Sequence, residues 1–146
     1  MPRELTILMA EDDDGHAILL QAGLRKAGVR HPVVRFTNGQ EALDYLQGRH
    51  PTMPFSQGQH YVLLLDIRMP KVDGVEVLRQ VKNQPNLRTL PVIMLSTTDD
   101  PGEINRCHAL GCNSYVVKPV EYPKFADTIR RLGEFLNLVE VPDLPR

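Results

Sequence analysis

Short runs of Val, Ile and Leu recur along the chain, and the segments between them return an apolar residue every three or four positions. The first pattern has the length of a buried strand; the second marks one face of a helix. Leu5 to Ala10 predicts a strand. A helix begins at about Asp14, with Ala17, Leu20, Leu24 and Ala27 on one face and Gly28 as its stop. Pro32 to Phe36 predicts the second strand, followed by Thr37-Asn38-Gly39 as turn and cap into a helix through Gln47. Tyr61 to Leu65 and Pro91 to Leu95 predict the third and fourth strands, with a helix over Asp73 to Asn83 between them. A fourth helix spans Pro101 to Leu110, opening on the proline its first turn tolerates. Ser114 to Val117 predicts the fifth strand, and Tyr122 to Asn137 the fifth helix, in which Phe125, Ile129, Leu132 and Leu136 share a face.

Five strands alternating with five helices predict βαβ units, hence a doubly wound parallel five-stranded sheet covered on both faces. The run Val62-Leu63-Leu64-Leu65 suits a central strand buried on both sides. Gly48 to His60, with Pro51, Pro54 and Gly58, reads as a surface loop, because its prolines exclude a regular helix. At 146 residues and 42% apolar content, the chain fits one folded domain. With no Trp and 5% aromatics, its core must be aliphatic.

Charge and cysteine content narrow the function classes. Seventeen Lys and Arg against 18 Asp and Glu leave a net charge of −1, which argues against nucleic acid as a direct partner. No run reaches the ~18 apolar residues of a membrane span, so no membrane partner is expected. Met1-Pro2-Arg3-Glu4 leads straight into the first strand without the succession of a signal peptide. Cys107 and Cys112 lack a Cys/His ligand set and read as reduced thiols, which points to the cytoplasm.

In open α/β sheets, ligands bind beyond the carboxyl ends of the strands. The first strand is followed by Glu11-Asp12-Asp13-Asp14, the third by Asp66, the fourth by Ser96-Thr97-Thr98 and the fifth by Lys118-Pro119. Carboxylates gathered without matching cations repel one another, and a hard divalent cation such as Mg2+ relieves this through oxygen ligands. A lysine and a hydroxyl beside that ion make a cradle for a phosphoryl group, with Asp66 as the central nucleophile. Each feature also has a plainer reading: the acidic run as a helix N-terminus, Asp66 as a turn cap, Lys118 as a surface residue. Their coincidence at four strand ends favours the site. His16, beside the acidic run, reads as a surface residue.

The stretches Glu11-Asp12, Asp66-Ile67-Arg68-Met69-Pro70-Lys71-Val72-Asp73-Gly74, Pro91-Val92-Ile93-Met94-Leu95-Ser96 and Tyr115-Val116-Val117-Lys118-Pro119 carry a wider pattern. Over residues 5 to 137, the chain resembles the receiver domain of two-component response regulators, a flavodoxin-like (βα)5 fold. That resemblance implies Asp66 as phosphoacceptor, Glu11 and Asp12 as the Mg2+-holding acids, and the Arg68 carbonyl as a further metal ligand. It implies Ser96 as switch hydroxyl, Lys118 as phosphate-binding lysine and Tyr115 as aromatic switch. The Lys118–Pro119 bond corresponds to one that is cis in the family. Cys112 replaces a usual Ala and Val120 a frequent Phe, neither at a reacting position.

By the same resemblance, a sensor histidine kinase supplies the phosphoryl group, and the product is a conformational state read by a downstream protein. The product is not an enzymatic turnover. The long Gly48–His60 loop and Asn86-Leu87-Arg88-Thr89-Leu90-Pro91 resemble stand-alone regulators paired with phytochrome-type kinases. Residues 1–137 are then the receiver domain and 138–146 a short tail without an output domain. The apolar tail residues Leu138, Val139, Val141 and Leu144 pack either on their own domain or in a homodimer through the fourth helix, fifth strand and fifth helix. The alternative reading is a Mg2+-dependent aspartyl-nucleophile phosphohydrolase. Such enzymes carry a second Asp two residues after the first, where this chain has Arg68. A flavodoxin-like binding protein that never takes phosphate is a second alternative, disfavoured by Asp66, Lys118 and the acidic pair together.

Overall fold

Ten elements alternate in the computed structural model, which describes residues 5–56, 59–142 and 144. They are β1 (Leu5–Ala10), α1 (Asp14–Lys26), β2 (Val33–Phe36), α2 (Gly39–Leu46), β3 (His60–Asp66), α3 (Gly74–Asn83), β4 (Val92–Ser96), α4 (Pro101–Leu110), β5 (Ser114–Val117) and α5 (Tyr122–Leu138). The strands form one parallel sheet in the order β2-β1-β3-β4-β5. Each predicted element is present, with ends moved by a residue or so. β2 and β4 begin one residue after Pro32 and Pro91, which have no N–H to give the ladder. Both prolines still accept through their carbonyls, from Ile7 and Leu63 at 2.9 Å.

The sheet separates two hydrophobic layers, and the alternation along β3 shows how. Leu63 and Leu65 join the core under α2, α3 and α4, whereas Val62 and Leu64 join the core under α1 and α5. All four are buried, each contributing about 1.5–3 kcal/mol of apolar burial. On α5, Phe125, Ile129, Leu132 and Leu136 are all buried. Helix starts are specified locally: Asp13, Asn38, Asp73 and Asp100 each accept the N–H of the residue three further on, capping α1, α2, α3 and α4. Gly28 and Gly111 follow α1 and α4 with φ of 88° and 110°, a conformation that costs glycine little.

Two segments are more ordered than their composition suggests. In the loop before β3, His50 Nδ1 accepts from the Thr52 and Met53 N–H groups at 3.2 and 3.1 Å. Phe55 stacks on Tyr61 and meets Tyr45 edge-on, with centroids 4.9 and 5.4 Å away. Gln57 and Gly58 of this loop lie outside the described residues. Beyond α5, Val139 and Val141 pack against the α1/α5 core, and Leu144, 2% exposed, enters the opposite core. The tail therefore passes below the sheet beside Leu5 and His60, the first residues of β1 and β3. Leu138 alone of the four apolar tail residues is exposed, at 82%. Asp143, Pro145 and Arg146 lie outside the described residues, as do Met1 to Glu4. No helix among the described residues is long and apolar enough to cross a membrane.

Candidate functional site

Parallel register brings the strand ends together. Ala10 pairs with Leu65, Asp66 with Leu95, and Ser96 with Val117. Glu11, Asp66, Ser96 and Lys118 are thus the last strand residue or the next one along on four neighbouring strands. The Lys118 N–H donates to the Ser96 carbonyl at 2.6 Å, and the Glu11 N–H to the Phe36 carbonyl at 3.0 Å, fixing the outer pair. Glu11, Asp12 and Asp66 each bring a carboxylate oxygen within 4.8 Å of the others.

Lys118 closes this cluster from below. It is 4% exposed and Glu11 is 1% exposed, and the two form a direct ion pair. Its Nζ also lies 3.4 Å from Asp66 Oδ2. Burial pushes the Asp66 carboxyl up to about 7; the neighbouring Glu11 adds to that rise and Lys118 opposes it. Burial acts on Glu11 in the same sense, but its hydrogen bonds with Asp66 and Lys118 outweigh it and leave Glu11 below the usual carboxylate range. One ammonium faces three carboxylates, so negative charge remains in excess. That is the donor set a hard divalent cation takes: oxygen ligands, an unneutralised charge and an open side. Asp12 supplies the open side. It is exposed and borders, with Arg68, Met69, Asp73 and Glu103, a cleft of about 460 Å3.

Ser96 and Tyr115 meet at the same loop residue. The buried Ser96 Oγ accepts the Thr98 N–H at 3.2 Å, and the half-buried Tyr115 hydroxyl donates to the Thr98 carbonyl at 3.0 Å. On the other side, Asp66 Oδ1 accepts the Ile67 N–H at 2.8 Å, and the Gly74 N–H reaches the Ile67 carbonyl at 2.7 Å. A Cβ on Gly74 would come within 2.0 Å of the Asp66 carbonyl oxygen. Gly74 thus does more than punctuate a turn: it lets the start of α3 abut Asp66.

Every sequence-predicted site residue lies at this edge, and two further residues join them. Arg35 on β2 donates twice to the Glu11 carbonyl, at 3.0 and 2.8 Å, and pairs with Asp14 at 2.7 Å, bracing the acidic loop. His16 is not a plain surface residue. Its side chain is 35% exposed, and Nδ1 lies 3.3 Å from Lys118 Nζ. Its place three residues after the capping Asp13 aims it back over the strand ends. The Lys118–Pro119 peptide bond is trans, against the expectation drawn from the resemblance; trans is the form that an X–Pro bond favours by about 0.5–1 kcal/mol.

Comparison with known proteins agrees with this geometry. Residues 7–130 match the family model of the response regulator receiver domain. A response regulator receiver domain from Rhodospirillum rubrum superposes with a TM-score of 0.91 at 44% identity, covering 97% of this chain and 99% of that one. The bacteriophytochrome response regulator AtBRR is 40% identical, with a TM-score of 0.70 over 90% of this chain and 94% of its own. The phosphorylated cyanobacterial phytochrome response regulator RcpA is 29% identical, with a TM-score of 0.85 over 97% of this chain and 100% of its own.

Proposed function

The chain belongs to the response regulator receiver family, and from that premise we propose that Asp66 takes a phosphoryl group from the phosphohistidine of a sensor histidine kinase. An Asp66 carboxylate oxygen attacks phosphorus, the P–N bond to the kinase histidine breaks, and an acyl phosphate remains on Asp66. The observation that carries this is the placement of Asp66 beside two further carboxylates and a buried lysine, with Asp12 and Arg68 of the same cluster bordering a solvent cleft. Exposure to acetyl phosphate or to a phosphorylated kinase, read by intact mass, tests it: one phosphoryl group per chain is expected. Steady turnover of a phosphate ester would point to the hydrolase instead.

Mg2+ is the ion we assign to the carboxylates, held by Glu11, Asp12, Asp66 and the Arg68 carbonyl. Bound there, it would neutralise the oxygens of the incoming phosphoryl group. Lys118 contributes a donor to those oxygens from within the fold. Asp12→Ala should weaken Mg2+ binding and slow phosphorylation, while metal-free stability holds or rises as like-charge repulsion is relieved. Calorimetric Mg2+ titration and thermal melts in chelator check both halves.

The switch is a change of partners at Thr98. If Ser96 turns to a phosphoryl oxygen, the Thr98 N–H loses its acceptor, and the loop that also holds the Tyr115 hydroxyl is released. The face made by α4, β5 and α5 changes accordingly, a population shift driven by about −1.5 to −2 of added charge. The receiver assists its own phosphorylation and dephosphorylation, but slowly in the second case. Arg68 and Thr98 flank the path of attacking water, and neither is an effective general base. A phosphorylated state lasting well beyond seconds without a phosphatase is expected, as followed by decay of the labelled mass.

The kinase is of the phytochrome type in this reading, supported by the likeness to AtBRR and RcpA. The free thiols of Cys107 and Cys112 fit a reducing cytoplasm. The output passes to an unidentified downstream protein, residues 1–137 form the functional unit, and the tail is its closure. Val139, Val141 and Leu144 are already packed, so a homodimer through α4, β5 and α5 would use the apolar residues still exposed on β5 and α5: Val117, Tyr122, Phe135 and Leu138. Sedimentation with and without a phosphoryl mimic checks this: a dimer is expected, and Phe135→Glu should return it to monomer.

A further inference from the structure

We propose that His16 is a positioning residue for Lys118: its Nδ1 takes one of the three ammonium donors and keeps the amine aimed over Asp66 once the carboxylates are engaged elsewhere. The inference rests on Asp66 being the phosphoacceptor. An ammonium has three N–H donors and no acceptor. Lys118 Nζ has three partners in the structure: Glu11, Asp66 Oδ2 at 3.4 Å and His16 Nδ1 at 3.3 Å. Glu11 and His16 are its hydrogen-bond partners, and Asp66 faces the ammonium as an ion pair. Because lysine only donates, His16 accepts at Nδ1, which makes its ring the Nε2–H tautomer.

Two of these partners have other tasks. Glu11 is a member of the carboxylate cluster that suits a divalent cation, and Asp66 oxygen becomes part of the acyl phosphate. Both then hold Lys118 less firmly than they do here. His16 has no such second commitment. Its Nδ1 is 3.7 Å from Glu11 Oε1, too long for a hydrogen bond, and lysine is its polar contact.

The ring is also fixed from outside the cluster. The His16 N–H donates to Asp13 Oδ1 at 2.9 Å in the α1 cap, and the imidazole lies tilted against Phe125 of α5, centroids 5.6 Å apart. Lys118 on the β5–α5 connection is thereby tied to α1, and the free donor that remains after phosphorylation points at the phosphoryl oxygens. Without His16 that donor must come from an amine free to turn toward water.

Two substitutions separate positioning from packing. His16→Phe keeps a ring against Phe125 and removes the acceptor; His16→Gln removes the ring and restores an acceptor oxygen. The readout is the affinity for beryllofluoride in saturating Mg2+, a phosphoryl mimic that needs Asp66 and Lys118. His16→Phe should bind it about ten-fold more weakly, the loss expected for one charge-assisted hydrogen bond, while His16→Gln stays within about two-fold of the parent protein. Affinity for Mg2+ alone should be the same in all three. Equal affinity of His16→Phe and the parent protein overturns the proposal, as does a His16→Gln variant as weak as His16→Phe. Ring nitrogen shifts of His16 in the beryllofluoride-bound parent protein give a reading that needs no variant. The Nε2–H tautomer is expected, and an Nδ1–H tautomer overturns the proposal. Failure of the parent protein to bind beryllofluoride would count against Asp66 as acceptor, not against His16.

Discussion

Asp66→Asn should reduce phosphoryl incorporation to background while the sheet stays intact. The amide has nearly the same shape as the carboxylate, but its nitrogen and oxygen are poor nucleophiles toward phosphorus. Labelling with acetyl phosphate, followed by intact mass, should show none; undiminished labelling would remove Asp66 from its role. The same substitution should change stability in the opposite sense. Asp66 titrates at about 7 in the folded protein against 3.8 for an ordinary aspartate. Between those two values the folded state holds a proton that the unfolded state has lost, so stability falls as pH rises across the window. In chelator, the parent protein should lose about 4 kcal/mol between pH 4 and pH 8 from this group, and Asp66→Asn should remove that slope. At pH 8 without metal, the variant should therefore be the more stable protein. Urea unfolding at the two pH values decides it.

Lys118→Met should show the largest loss of stability among the site variants. Methionine matches the length and volume of the lysine stem, so packing is kept and the charge alone is removed. Glu11 is then left buried with no cation, and breaking one half of such a pair typically costs about 3–5 kcal/mol. The penalty should appear in chelator at pH 8, where both carboxylates are driven to ionise. It should shrink near pH 5, as protonation relieves them, and shrink again in saturating Mg2+. Phosphorylation should slow as well, because the phosphoryl oxygens lose their buried donor. A penalty that is independent of pH and of Mg2+ would mean that Lys118 is held by packing and not by charge.

The positions of Asp66, Ser96 and Lys118 were legible because each ends an apolar run, and parallel strands in register put such ends side by side. The doubly wound layering was legible for a related reason: Val62 to Leu65 leave no polar face, which only a strand covered on both sides tolerates. What escaped the sequence depends on side-chain direction rather than on spacing. His16 and Arg35 reach the site across elements, from α1 and from β2, and no periodicity records where a histidine on the first turn of a helix points. The aromatic anchoring of the loop before β3 was equally hidden. Its prolines announce irregular backbone, but the stacking of Phe55 on Tyr61 depends on where the loop returns. The path of the tail was left open between two partners, because apolar content alone states that residues are covered and not by what.

The strand order also divides labour across the sheet. Glu11 and Asp12 follow β1 and Asp66 ends β3, central strands whose side chains are enclosed by helices on both faces. Tyr115 and Lys118 belong to β5 and its exit, at the edge of the sheet, where β5 is only partly covered. Substitutions on the inner strands disturb two cores at once, whereas those on the outer face of β5 and α5 disturb neither. Over evolutionary time, that outer surface can therefore drift while the carboxylate cluster stands still. A lineage can vary that surface without rebuilding the carboxylates at the strand ends.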